Sequence, residues 1–572
     1  MLPVPFNVIA TTLGLSALLS LTACSPHEAP KHTLVNETPS QAAIASAHPL
    51  ATQAGMDILA TGGNAFDAAI AVAASLGVVE PFSAGIGGGG FWLIHDAKTA
   101  KNTFIDAREK APAAAHADLY LNEDGSVNRD IAINGALAAG IPGQAAAFVH
   151  LAKNYGQLPL KQTLAAAIKQ ANNGFPVYHH YQKLARYRLA ALKRYPTSAK
   201  TFLNPKQEIP AEGYLIKQPD LAWTLQQIAD SGFDGFYKGE SARRLVTGVQ
   251  ASNGIWTLED LANYKVIERQ PIEVVYKGYK VISAPPPSSG GIAIAAMLNM
   301  LSQFELDELN NADKTHVIVE AMRRAYKDRA EFLGDPDFVD VPTEALVSLA
   351  RAKTYAASID MNKATSSLSL QGPKNIKEGF HTTHFSVIDK AGNRVSATLS
   401  INLPFGSAFT VANTGVVLNN EMDDFSAKPG EPNAYGLIGN AANAIAPNKR
   451  PLSSMSPSFV ENEHSVALLG TPGGSRIITM VMLGMLEHFD DNPVNDWVGR
   501  SRFHHQYLPD MIQHEPNTFS ATELNALESK GHIMKNVNHE YGNMQAILWD
   551  KRSGEVTAAS DPRGFGQAQA SE

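Results

Sequence analysis

The chain of 572 residues carries a formal net charge of -8 and is 44% apolar, enough to bury a sizeable core in one large domain or several ordinary ones. No Lys/Arg block interrupts the acidic balance, which excludes an electrostatic nucleic-acid footprint and favours a small molecule or peptide as substrate. A single cysteine excludes an intrachain disulfide.

In chain order, the first predicted element is an export signal. Residues 8–23 are apolar, end in small side chains and are too short for a comfortable membrane span. Cys24 follows Leu21-Thr22-Ala23, a run that resembles the lipobox of bacterial lipoproteins. That resemblance implies a signal peptide over residues 1–23, a lipid anchor on Cys24 and residence in the periplasm or cell envelope. Simple cleavage and release, or an apolar helix packed on the body, are the alternatives, and no Lys or Arg supplies the usual basic start. Residues 24–44 are polar and aperiodic and read as a tether, with the folded body from residue 45.

Helical spacing of apolar residues predicts a helix over 50–60 with Gly62-Gly63 as its stop. A second follows over 65–76, with Asn64 and Asp67 as its N-cap signal. This second helix is apolar nearly all round, as a helix buried between layers would be. Gly85-Ile86-Gly87-Gly88-Gly89-Gly90 precedes a predicted hairpin over 91–95 and 103–106. No Lys-Ser or Lys-Thr follows the glycines, so they read as close backbone packing around a site and not as a phosphate cradle. Residues 135–350 are expected to be mostly helical, with amphipathic stretches at 221–231 and 314–333. The run Pro285-Pro286-Pro287-Ser288-Ser289-Gly290-Gly291 reads as a rigid turn before a helix near Ile292.

Residues 362–381 lose all period and read as an exposed, mobile loop. Strand alternation follows at once over 383–388 and 394–401, joined by a hairpin signal at 389–393, so Thr382 stands where the loop meets a strand. Short strands at 466–470 and 546–549 alternate with a helix at 475–486. Strands before and after a helical middle suggest stacked sheets flanked by helices.

The chemistry-bearing runs are five. His381-Thr382-Thr383-His384-Phe385 is joined by Asn419-Asn420-Glu421-Met422-Asp423-Asp424, Arg450-Pro451-Leu452-Ser453-Ser454, Gly470-Thr471-Pro472-Gly473-Gly474-Ser475-Arg476 and the triple-proline turn. Together they resemble the γ-glutamyltransferase (γ-glutamyltranspeptidase) family of bacterial type, in the N-terminal-nucleophile hydrolase superfamily, over nearly the whole chain after residue 44. The resemblance implies an α+β fold, a four-layer αββα sandwich of two antiparallel sheets. It also implies self-cleavage after His381 into a large subunit (45–381) and a small one (382–572) that remain together as a heterodimer. A threonine hydroxyl is a weak nucleophile unless a base takes its proton, and a free α-amine on the same residue, of pKa about 8, can serve once the chain is cut.

By the same resemblance Arg108, Ser453 and Ser454 hold a substrate α-carboxylate, a guanidinium fork matching two oxygens. Asn402, Glu421 and Asp424 clamp the α-ammonium, and Gly473 and Gly474 form the oxyanion hole. Ser400 stands where relatives carry a second threonine; the hydroxyl is kept and the methyl lost, so slower processing or turnover is expected. Residues 428–449, around Tyr435, match a lid over the glutamyl pocket. Asp423-Asp424 and His504-His505 lack a third ligand at a recognisable spacing, so neither a metal nor a dissociable cofactor is expected. The implied activity is cleavage of the γ-glutamyl amide of glutathione and its relatives, with transfer to water, an amino acid or a peptide. The rivals are a glutaryl or cephalosporin acylase of the same fold, and a non-catalytic envelope lipoprotein.

Overall fold

The computed structural model describes residues 36–367 and 382–571; the proposed signal, Cys24 and His381 lie outside them. In chain order its principal strands are β1 (Ala43–Ser46), β2 (Gly89–Asp96), β3 (Lys101–Ala107), β4 (Ile267–Arg269), β5 (Ile272–Tyr276), β6 (Tyr279–Ser283), β7 (Thr383–Ile388), β8 (Arg394–Ser400), β9 (Ser458–Glu461), β10 (Ser465–Gly470), β11 (Gln545–Asp550), β12 (Val556–Ser560) and β13 (Gln567–Ala570). They form a seven-stranded sheet, ordered β13-β1-β7-β8-β2-β3-β4, and a six-stranded sheet, ordered β12-β11-β10-β9-β6-β5. Every pairing within both is antiparallel.

Side chains alternate across a strand, and here each face has its own apolar partners. On β2, Trp92 and Ile94 enter the core under the first helical layer, while Phe91 and Leu93 enter the core shared with the second sheet. The first layer includes α1 (Pro49–Ala60) and α2 (Ala65–Val79). All of α2 is buried, and the Asn64 side chain accepts from the Phe66 and Asp67 N–H groups in a reciprocal capping box with Asp67. The far face of the second sheet is covered by α3 (Gly290–Leu301), α4 (Asn311–Phe332) and α5 (Ile477–Phe489). The result is the αββα sandwich, with each buried aliphatic side chain contributing about 1.5–3 kcal/mol.

Two boundaries differ from the sequence reading. β1 begins at Ala43, inside the span read as a tether, and the backbone is already tied down earlier, Asn36 to Lys551 and Ser40 to Gly554. Four residues paired on both edges, with β7 and with β13, of which only Ile44 is large, are too few to announce a strand. Residues 362–367 are also not a free loop. The buried Ser367 donates its N–H to Asp510 at 2.7 Å and Thr365 donates its own to Glu320 at 3.0 Å. The remainder of that predicted loop, 368–381, lies outside the described residues.

Candidate active site

Thr382 directly precedes β7, and the register of Thr383 opposite Leu399 brings it beside Ser400, the last residue of β8. The glycine run lets neighbouring backbone close in on that strand end. A Cβ on Gly88 would sit 2.2 Å from the Ser400 carbonyl oxygen, and one on Gly87 would sit 2.0 Å from that of Val417. Only glycine permits such approach.

Thr382, Ser400, Asn402, Arg108, Asp424, Ser453, Ser454, Gly474 and Tyr435 line one buried cavity with about 20 Å³ of free space, room for about one water. Arg108, at the end of β3, lies 2.8 Å from Glu421 and 2.6 Å from Asp424. Burial alone would lower its pKa, but Glu421, Asp424 and Glu109 override that and raise it. Burial pushes the Glu421 carboxyl up to about 7, against the pull of Arg108. Asn402, held at φ 71°, donates its amide to the Asn420 carbonyl at 2.8 Å. Its buried Oδ1 has no hydrogen-bond partner among the described residues, which leaves an acceptor for a donor group entering the cavity.

The adjacent acids divide their work. Asp424 faces the cavity, whereas Asp423 accepts from the Ala434 N–H at 2.9 Å and ties down the 428–449 segment. Burial raises the Asp423 carboxyl to about 7. In the same segment Tyr435 is buried, donates its hydroxyl to the Asn402 carbonyl at 2.9 Å and lies over Gly474. A Cβ on Gly474 would meet the Tyr435 ring at 2.4 Å. The segment is thus closed over the cavity. Gly473 and Gly474, at φ 147° and 57°, make the turn that opens into α5.

The triple-proline turn braces Ser453-Ser454. Ser453 donates its N–H to the Pro287 carbonyl at 2.8 Å, and its own carbonyl accepts from the Ser289 N–H at 2.8 Å and hydroxyl at 2.7 Å. Two side chains of interest escaped the sequence reading. Arg329, on α4, lines the same cavity; its only signal was a charge on the apolar stripe of Met322 and Tyr326. Glu80 lines a larger cavity of about 480 Å³ that Thr382 and Gly473 also border. Burial raises its carboxyl to about 8 although the Thr383 hydroxyl donates to it at 2.8 Å. His384, buried under Gly470 and bonded to Thr398 at 2.8 Å, is held neutral with a pKa lowered to about 3 by burial.

His504 is engaged by Thr479 and Gln506, each at 2.8 Å, and His505 accepts from the Tyr507 N–H at 3.1 Å. Elsewhere His316, Glu320 and His532 converge, but Glu320 is paired with Arg323 through one carboxylate oxygen and with Arg324 through the other, so its charge is already neutralised.

Solved structures share this architecture. A cephalosporin acylase from Bacillus halodurans matches with a TM-score of 0.82 at 30% identity, over 97% of this chain and 100% of that one. The γ-glutamyltranspeptidase of Helicobacter pylori matches at 40% identity with a TM-score of 0.55, over 56% of this chain and 92% of that chain. Stacked antiparallel sheets between helices, with the candidate nucleophile at the head of a central strand, define an N-terminal-nucleophile hydrolase fold. Sequence narrows the class. The gamma-glutamyltranspeptidase family profile matches residues 51–571. The glutathione hydrolase proenzyme of Escherichia coli (strain K12) is 43% identical over 529 residues, 91% of this chain and 90% of that protein. That of Bacillus subtilis (strain 168) is 35% identical over 546 residues, 92% and 90% of the two chains. The chain belongs to the γ-glutamyltranspeptidase family.

Proposed function

We propose that the protein is a self-processing glutathione hydrolase and γ-glutamyltransferase with Thr382 as nucleophile. The observation that carries this reading is the meeting, in one buried cavity, of a strand-initial threonine with charges of both signs that match an amino-acid head group. Arg108, Ser453 and Ser454 take the α-carboxylate, while Asp424, Glu421 and the open Oδ1 of Asn402 take the α-ammonium. The γ-carbonyl then lies beside Thr382.

Maturation starts when Thr382 Oγ attacks the carbonyl of His381. The acyl group shifts from nitrogen to oxygen, which breaks the peptide C–N bond and frees the Thr382 amine, and water then hydrolyses the ester to release the His381 carboxylate and restore the Thr382 hydroxyl. That amine takes the hydroxyl proton as Oγ attacks the γ-glutamyl amide. The backbone N–H groups of Gly473 and Gly474 stabilise the oxyanion; a lost donor of this kind costs about 10²–10³ in kcat. The amine returns the proton to the leaving amine, leaving a γ-glutamyl ester on Thr382, which water or an acceptor amino acid or peptide resolves. Closure of the Tyr435 segment shields the ester from bulk water. Large and small subunits form the heterodimer, and the N-terminal signal directs export to the periplasm or cell envelope, through a lipid on Cys24 in the anchored form.

The likeness to a cephalosporin acylase supports a second reading, removal of glutaryl side chains. A glutaryl group has no ammonium for Glu421 and Asp424. Turnover of L-γ-glutamyl-p-nitroanilide and of glutaryl-p-nitroanilide separates the two: the first is expected to be cleaved far faster, and preference for the second assigns the acylase.

A further inference from the structure

We infer that Arg329 is a second holder of the donor's α-carboxylate, acting with Ser454, and the positive charge outside any ion pair that selects donors carrying that group. This inference rests on the γ-glutamyl reading above and deepens it.

Arg329 extends from α4 into the cavity bordered by Thr382, Asp424 and Ser454. It is 5% exposed. Its Nε donates to the Ser289 hydroxyl at 3.0 Å and its Nη2 reaches the Ser454 hydroxyl at 3.4 Å. No carboxylate pairs with it among the described residues, and Nη1 makes no hydrogen bond to them. Arg108, across the cavity, is the opposite case, with Glu421 and Asp424 already on its two Nη groups. Burial lowers the Arg329 pKa, the more distant Asp424 offsetting only part of that, whereas the pKa of Arg108 is raised by the carboxylates paired with it.

A buried guanidinium without a counter-ion is costly, and an anion that brings its own charge into the cavity removes that cost. The anion must be small and planar, since the cavity is narrow and a guanidinium offers paired N–H groups to two oxygens. An α-carboxylate meets both conditions. The Ser289 bond fixes the side chain in advance, so little conformational entropy is lost on binding. A charge already shared among carboxylates, as on Arg108, gains less from a further anion. The Arg108 group thus organises the ammonium clamp as well as touching the carboxylate, and Arg329 supplies the selectivity.

Two donors that differ only at this group provide the test: L-γ-glutamyl-p-nitroanilide and 4-aminobutanoyl-p-nitroanilide, which lacks the carboxylate. Arg329→Gln is expected to raise KM for the first by about 30-fold with kcat changed less than about threefold, the signature of lost ground-state binding. Activity on the second should stay within about twofold, so discrimination collapses. Arg329→Lys, which keeps the charge without the fork, is expected to recover about half of the loss on a logarithmic scale. The inference is overturned if both donors lose activity equally, if KM for the first does not move, or if neither variant matures into two chains. A wild-type enzyme that cleaves neither donor overturns the γ-glutamyl reading itself.

Discussion

Arg108 and Asp424 are joined at 2.6 Å although 316 positions separate them, and the proposed scission falls between. The same is true of the sheet: β1 pairs with β7 and β2 pairs with β8. Cutting the chain after His381 would therefore leave two polypeptides that share one core and one site. Their association needs no new contact.

Removing one partner of a buried charge pair costs about 2–5 kcal/mol. Asp424→Asn leaves Arg108 with less compensation and the ammonium with a weaker clamp. A rise of roughly 100-fold in donor KM is expected, with both chains still coeluting on gel filtration. An unchanged KM would remove Asp424 from the clamp.

Glu421 supplies a pH dependence. Burial lifts its carboxyl to about 7, so the empty site holds a proton there that the unfolded chain has released. Proton binding by the folded state in that window means that stability contributed by Glu421 falls as pH rises from its ordinary value toward 7. Binding runs the other way, because an ammonium needs the ionised carboxylate. Donor KM is expected to climb by up to about tenfold per pH unit below 7, and Glu421→Gln should abolish that limb. A flat KM between pH 5 and 8 in the wild type, measured by initial rates, contradicts the role.

Gly474→Ala tests the turn and the lid together. The added methyl group meets the Tyr435 ring at 2.4 Å and the residue sits at φ 57°, a conformation that costs an L residue about 1–2 kcal/mol. Displacement of both the lid and the oxyanion donor is expected to lower kcat by about 100-fold or more. Stopped-flow burst kinetics would locate the loss in acylation.

Much of this was legible in the sequence because it is local. The Asn64 capping signal, the β7–β8 hairpin and the punctuation after α1 each depend on a few consecutive residues. The site was legible only through its five runs, since Arg108, Asp424 and Ser453 meet by tertiary pairing that no spacing reveals. Arg329 and Glu80 were missed for the same reason: one is a single charge among many on α4 and the other caps the apolar α2, and only packing shows that each borders a cavity. β1 was missed because Ala43 to Ser46 is too short, with Ile44 its one large side chain, for periodicity to register.

Ser400 stands where the family resemblance implies a second threonine. Its hydroxyl accepts from the Asn402 N–H at 2.8 Å, which ties the nucleophile's neighbour to a residue of the proposed ammonium clamp. Restoring the methyl group in Ser400→Thr narrows χ1. The variant is expected to mature about two- to fivefold faster, an effect of about 0.5–1 kcal/mol. Band intensities on a denaturing gel over time decide it, and equal rates would mean that the methyl group has no role here.

The most direct test of the central claim is the mass and N-terminal sequence of the smaller fragment in purified, active protein. Scission that frees the Thr382 amine predicts a chain beginning Thr-Thr-His-Phe in the wild type and a single uncut polypeptide in Thr382→Ala. Full activity in an unbroken chain, or a fragment beginning at any other residue, would contradict it.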